Sequence, residues 1–273
     1  MTSTARGVRS GPRAGSHGPV PGGAPGRLRG RVLRAADAEW GALCRALRDG
    51  AVRRGFTALP LTLAATAAVL LFQVLQHTPD GAVLVQRTGV VQASLPLWQE
   101  LLRTPLSLFV PAPDLPVWGA AAQVFLVFGV AELALGHWRT LTVAYLGSLA
   151  GTLYARNAVR LGPHGPFGLP YQDAFARDTG PSAAVVALAV YLAWRYRAWV
   201  TGSAVIAAMA LEQVLLPNMA GAEHLCAVLC ALAVAAYGEL VGRQWGRTAG
   251  ALRSALAVGP LAEQVRRTSR AVA

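Results

Sequence analysis

Two polar residues carry most of the chemistry that this chain can offer. Ser182 lies in Asp178-Thr179-Gly180-Pro181-Ser182-Ala183, and His224 in Asn218-Met219-Ala220-Gly221-Ala222-Glu223-His224. Each stands at the head of an apolar run. An imidazole that accepts the proton of a hydroxyl turns that oxygen into a nucleophile. The free N–H groups and positive dipole end of a helix start favour the oxyanion that such an attack creates. Taken singly, neither residue is diagnostic. A serine near the start of a membrane helix usually caps or packs, and a lone histidine there is usually hydrogen-bonded or solvated.

What gives the pair meaning is where the surrounding elements place it. The chain has 273 residues, of which 54% are apolar and only 14% charged. An ordinary soluble domain carries roughly 25% charge. The apolar residues gather into about six blocks near the ~17–25 residues that span a bilayer. The fold class is therefore read as all-α, a polytopic six-transmembrane-helix bundle. The spans fall at about Ala58–Gln76, Pro116–Leu135, Thr140–Arg156, Gly180–Trp194, Trp199–Leu216 and Ala222–Val241. Between the first two runs the segment 77–115, broken by prolines. The Gly/Pro-rich segment 157–179 precedes the fourth.

Charge sets the orientation. The net charge is +12, and every basic residue is Arg. Residues 1–56 hold eleven Arg against Asp37, Glu39 and Asp49, and residues 242–273 hold six against Glu263. That distribution follows the positive-inside rule and puts both termini in the cytoplasm. Arg139, Arg195 and Arg197 then also fall inside, while Asp80, Glu100 and Asp114 fall outside. A basic chain could instead suggest nucleic acid, but no recognition fold accompanies the charge. The expected partner of the tails is anionic lipid. With the fourth and sixth spans both descending from outside, Ser182 and His224 sit at matching shallow depth on two parallel helices.

The organisation reads as a disordered basic Gly/Pro-rich tail over 1–30 and a cytoplasmic juxtamembrane helix over 31–57. The membrane domain covers 58–241, and a basic cytoplasmic tail 242–273, with a possible second surface helix near Ala249–Val265. Val32, Leu33, Trp40, Leu43 and Leu47 form the apolar side of the first helix. The Arg-, Ala- and Gly-rich, Lys-free composition is consistent with a GC-rich bacterial genome, hence a bacterial plasma membrane. Cys44, Cys226 and Cys230 show no metal spacing, and the latter two read as packing residues. Among the acids, Asp178 is expected to cap the fourth span. Glu223 is expected to be an interfacial charge turned about 100° from His224. Glu212, in the outer half of the fifth span, is within reach of His224 or of the outer water cavity and is read as an internal hydrogen-bonding group sooner than a catalytic one.

Several motifs together resemble the rhomboid serine proteases, which cut substrates within the membrane. The resemblance covers about residues 58–241. Arg103-Thr104-Pro105-Leu106-Ser107-Leu108-Phe109 looks like the stretch leading into the rhomboid second helix. Glu132-Leu133-Ala134-Leu135-Gly136 followed by Arg139 resembles the Glu-x-x-x-Gly…Arg pattern that closes it. Tyr145-Leu146-Gly147-Ser148-Leu149-Ala150-Gly151 resembles the start of the third. Gly180-Pro181-Ser182-Ala183 stands where the family has Gly-x-Ser-Gly, and Ala222-Glu223-His224 where it has the catalytic His. Ala227 and Ala231 stand where small residues let the fourth and sixth helices approach.

The resemblance implies Ser182 as nucleophile, His224 as general base and acid, and the Ser182 amide as a partial oxyanion hole, with Gly180 and Ala183 beside it. The substrate would be a transmembrane segment of another protein, entering beside the fifth helix; no metal or cofactor is implied. Departures from the family pattern weaken the site. Its His-x-x-x-Asn pair is replaced by Pro116 and Ala120, which have no side-chain donor, and Gln123, one turn deeper, is a poor substitute. Ala183 adds a methyl group where the family has glycine. The Trp-Arg pair of the family's first outer loop is missing. Losing one oxyanion donor costs about 10²–10³ in rate. The expectation is thus either weakened intramembrane serine proteolysis or a proteolytically inactive rhomboid-like protein that binds transmembrane partners. Solute transport is disfavoured, since the spans are unbroken.

Overall fold

The computed structural model describes residues 24–258 apart from 114, 115 and 166. Residues 1–23, Asp114 and the tail beyond 258 lie outside the described residues, and with them most of the segment expected to be disordered. The described residues form α1 (Ala24–Arg54), α2 (Pro60–Gln76), α3 (Pro79–Thr88), α4 (Leu97–Ser107), α5 (Val117–Leu135), α6 (His137–Leu161), α7 (Ser182–Tyr196), α8 (Trp199–Leu215) and α9 (Met219–Val258). No strand occurs among them; one isolated bridge joins Val91 and Asp178. The all-helical expectation holds. Two helices are long and apolar enough to cross a membrane, Val117–Leu135 and Met219–Ala249, and three further apolar helices have 15–17 residues. Two boundaries differ from expectation. Helix α1 starts at Ala24, so 24–30 are helical, and α9 runs unbroken through Ala249 to Val258 instead of restarting as a separate helix. No proline or positive-φ residue interrupts α9.

Helix directions follow from the contacts. The start of α2 meets the end of α5 through Leu61, Thr62 and Glu132. The end of α2 meets the approach to α5, where Gln76 donates to the Pro111 carbonyl. Gly136, at φ +88°, turns α5 directly into α6. Along α6, residue 147 meets 183 and 187 of α7 while 152 bonds 178, so α6 and α7 are antiparallel. Residue 151 meets 223 and the Leu146 carbonyl accepts from Cys230, so α6 and α9 are antiparallel too. Helices α7 and α9 therefore run parallel. They pack directly on each other with no element between, and α8 forms hairpins with both.

Two of the helices that open on residues without a capping side chain are α2, after Leu59, and α8, after Ala198. In each case a glutamate from a neighbouring helix fills the gap. Glu132 of α5 is fully buried and accepts from the Leu61 N–H (3.0 Å), the Thr62 N–H (2.8 Å) and the Thr62 hydroxyl (2.8 Å). Glu39 of α1 accepts from the Thr201 N–H (2.7 Å), a bond that lowers the Glu39 pKa, and Trp40 donates to the Thr201 hydroxyl. A carboxylate on free helix N–H groups satisfies orphan donors and meets the positive dipole end. Arg54 donates to the Glu132 carbonyl (2.7 Å), and Gly50 lets α1 lie against Leu133, where a methyl group would overlap the backbone. Leu43 and Leu47 are thus half-buried, while Val32, Leu33 and Trp40 remain exposed.

Helix α4 is amphipathic in the reverse sense. Glu100, Thr104 and Ser107 are buried, whereas Trp98, Leu102 and Leu106 face outward. Glu100 pairs with Arg156 of α6 at 2.8 Å.

Glu132→Ala is expected to lower stability by about 2–4 kcal/mol, because it leaves buried donors at the start of α2 without an acceptor. The measurement is the thermal midpoint of the detergent-solubilised protein. An unchanged midpoint would refute the capping role.

Candidate functional site

The segment before α7 is built to deliver Ser182 in one position. Asp178 N–H donates to the Val91 carbonyl and Ser94 N–H to the Ala174 carbonyl, tying this segment to the stretch before α4. Gly180 adopts φ +125°, a conformation that strains a side-chain-bearing residue, and donates its N–H to the Ser107 carbonyl (3.0 Å). Pro181 then stands at the helix cap and Ser182 is the first residue of α7. Asp178 does not cap α7, contrary to expectation. Its carboxylate turns to α6 and accepts from the Thr152 hydroxyl (2.7 Å). The extra turn made by Gly180 and Pro181 carries it away from the helix end.

Three helices meet at this level. Gly147 and Gly151 stand one turn apart on α6. A methyl group on Gly147 would overlap Ala187 and touch the Ala183 carbonyl; one on Gly151 would press on the Glu223 side chain at 3.0 Å. Ala227 and Ala231 of α9 are fully buried in the same core. Where apolar burial gives little preference between helix and lipid, such small residues permit the close backbone approach that holds helices together. Ser182 precedes Ala183, and His224 follows Glu223. Both therefore sit at the level of the Gly147–Gly151 turn, within about 6 Å of one another along the helix direction.

His224 is nearly enclosed, its side chain 12% exposed. Nδ1 lies 3.3 Å from Glu212 Oε2, and Nε2 is buried with no hydrogen-bond partner. Ser182 is half-buried and not hydrogen-bonded to His224. Of the other expected site residues, Gly180 spends its N–H on Ser107, Ala183 turns its carbonyl to α6, and Gln123 is half-buried on α5. Pro116 stands at the cap of α5, and Ala120 packs against the core. The N–H groups of Ser182 and Ala183, opening α7, have no acceptor within the helix. Among the described residues no three His, Cys, Asp or Glu side chains are grouped to hold a metal.

Glu223 is not an interfacial charge. It is 7% exposed, packs on Gly151 and lies beside the Asp178 carboxyl, with Oε1 unpartnered. Gly147-x-x-x-Gly151 carried the signal, since glycines one turn apart mark a surface where another helix comes close. What the spacing did not say is that the incoming side chain would be an acid.

No family model, curated protein or solved structure matches this chain.

Enclosure pushes the Asp178 carboxyl above the ordinary carboxylate range, and the Thr152 hydroxyl partly offsets this. Because the folded value is raised, the protonated acid stabilises the fold. That contribution is complete below about 3.8, the ordinary value, and is lost as pH rises through the raised one. From about pH 4 upward, the thermal midpoint of the native protein should fall relative to that of Asp178→Asn. Equal slopes would refute the burial of this carboxyl.

Proposed function

We propose that this chain is a rhomboid-like intramembrane serine protease of the plasma membrane, crossing the bilayer six times through α2 and α5–α9 with both termini cytoplasmic. Helix length and the surface support the membrane setting. The outward Trp98, Leu102 and Leu106 of α4, over a polar inner face, suit lipid and not water. Arg139, Arg195 and Arg197 mark the inner boundary. From there the 15 residues of α7 rise only about 22 Å, leaving Ser182 below the outer edge of a ~30 Å hydrocarbon layer. Non-helical backbone at such a depth is tolerated where it lines a protein-walled cavity.

The observation that carries the hydrolase reading is the shared level of Ser182 and His224 on two parallel, directly packed helices. In the dyad the Ser182 hydroxyl donates to Nε2 of His224, which has no other partner, and catalytic hydrogen bonds often tighten only when substrate binds. The Ser182 oxygen then attacks the peptide carbonyl while Nε2 takes its proton. The N–H groups opening α7 receive the oxyanion, and the imidazolium returns the proton to the leaving amine. Water hydrolyses the acyl-enzyme. The substrate is a transmembrane segment of another protein, and anionic headgroups engage the basic tails.

A second reading is favoured by the absence of a Ser182–His224 hydrogen bond and of side-chain donors at Pro116 and Ala120. In it the same bundle binds transmembrane partners without cutting them.

A serine-reactive fluorophosphonate separates the two. Labelling of the detergent-solubilised protein that disappears in Ser182→Ala and in His224→Ala supports the protease; a folded native protein that never labels supports the binding role. Orientation is tested through Cys44, which is exposed on α1. A membrane-impermeant maleimide should leave it unmodified in intact cells and modify it after permeabilisation. Modification in intact cells would overturn the cytoplasmic N-terminus.

A further inference from the structure

Glu212 is the one charged side chain that reaches the His224 ring among the described residues, and it does so at Nδ1. The two residues face each other across the α8–α9 hairpin. Gly221 packs on Gln213 next to Glu212, which brings the end of α8 against the start of α9. The hairpin turn is fixed in its own right, since Asn218 Oδ1 accepts from the Gly221 N–H (2.8 Å) and its amide donates to the Leu216 carbonyl (2.8 Å). The other ring nitrogen, Nε2, is buried and unpartnered.

A neutral imidazole carries one proton and has two places to put it. A carboxylate can only accept, so the nitrogen facing it must be the one that bears hydrogen. We infer that Glu212 is a positioning residue that holds His224 in the Nδ1–H tautomer and keeps a lone pair on the buried, unpartnered Nε2. This rests on the hydrolase reading and extends its Ser–His pair to a set of three side chains. Before attack, Glu212 accepts a hydrogen bond from Nδ1–H. During attack, the proton of the Ser182 hydroxyl moves to Nε2 and the oxygen bonds to the substrate carbonyl carbon. The ring then carries two protons, and the carboxylate of Glu212 stands against its positive charge. No proton passes to Glu212.

The test uses full-length protein in detergent micelles with ¹⁵N-labelled histidine; the His224 signals are those lost in His224→Ala. The native protein should show a protonated Nδ1 and an unprotonated Nε2. Glu212→Gln keeps the shape but can present an amide N–H to the ring, so it should move the proton to Nε2. It should also slow fluorophosphonate labelling of Ser182, by up to about 10⁴-fold, the scale of loss when a catalytic imidazole is held in the wrong tautomer. Glu212→Leu removes the acceptor altogether and should slow labelling similarly, which guards against one variant failing to fold. A native Nε2–H signal, or Glu212→Gln labelling at the native rate, overturns the positioning role and leaves the hydrolase standing. A native protein that is folded but never labels overturns both, whatever the tautomer.

Discussion

The buried carboxylate of Glu132 is the constraint from which much of this bundle follows. A helix that opens on Leu59-Pro60 has no side chain of its own to receive its first N–H groups. Glu132 supplies the acceptor from the far end of another helix, fixing the end of α5 against the start of α2. Once that corner is set, Gly136 reverses the chain into α6, and Arg54 binds the Glu132 carbonyl to seat α1. The Glu-x-x-x-Gly spacing is thereby explained without reference to catalysis. One residue closes a neighbour's helix end, and the other turns the corner. Glu39 repeats the device at α8. Because removing a partner from a buried charge costs more than the pair contributes, such a corner tolerates little change.

The second organising fact is how closely α6 lets its neighbours approach. Gly147 admits α7 and Gly151 admits α9, so one turn of one helix sets the height of two others. Ser182 and His224 inherit their common level from that turn. The same closeness traps Glu223 beside Asp178, next to the residues proposed to react. The acids around the head of α7 thus divide. Glu212 touches the imidazole, while Asp178 joins Thr152 and Glu223 in holding the entering segment to α6 and α9.

Helix positions were readable because they depend on local composition: the apolar runs at 117–135 and 199–215 reappear almost unchanged. Ala227 and Ala231, read as small residues that let the fourth and sixth helices approach, are fully buried in the core. Ends proved harder. Nothing in Arg243-Gln244-Trp245 breaks a helix, and α9 runs on through it, past the expected end of the sixth span at Val241. The acids were misread where long-range packing decides their surroundings. The loop before α7 looked like a capping sequence for Asp178, yet the turn at Gly180 aims that carboxylate at a different helix. Glu132 was recognised by its spacing alone, since its partners at Leu61 and Thr62 lie some 70 residues away.

The length of α9 has a mechanical meaning. Its 40 residues extend about 60 Å, roughly twice the thickness of the hydrocarbon layer. The rod whose upper end bears His224 therefore projects well past the bundle, and it bares Tyr237, Leu240 and Trp245 along the way. Beyond Ala235 the helix buries no large apolar side chain among the described residues, so its lower half stands as a flank whose rings and Leu240 have no cover of their own.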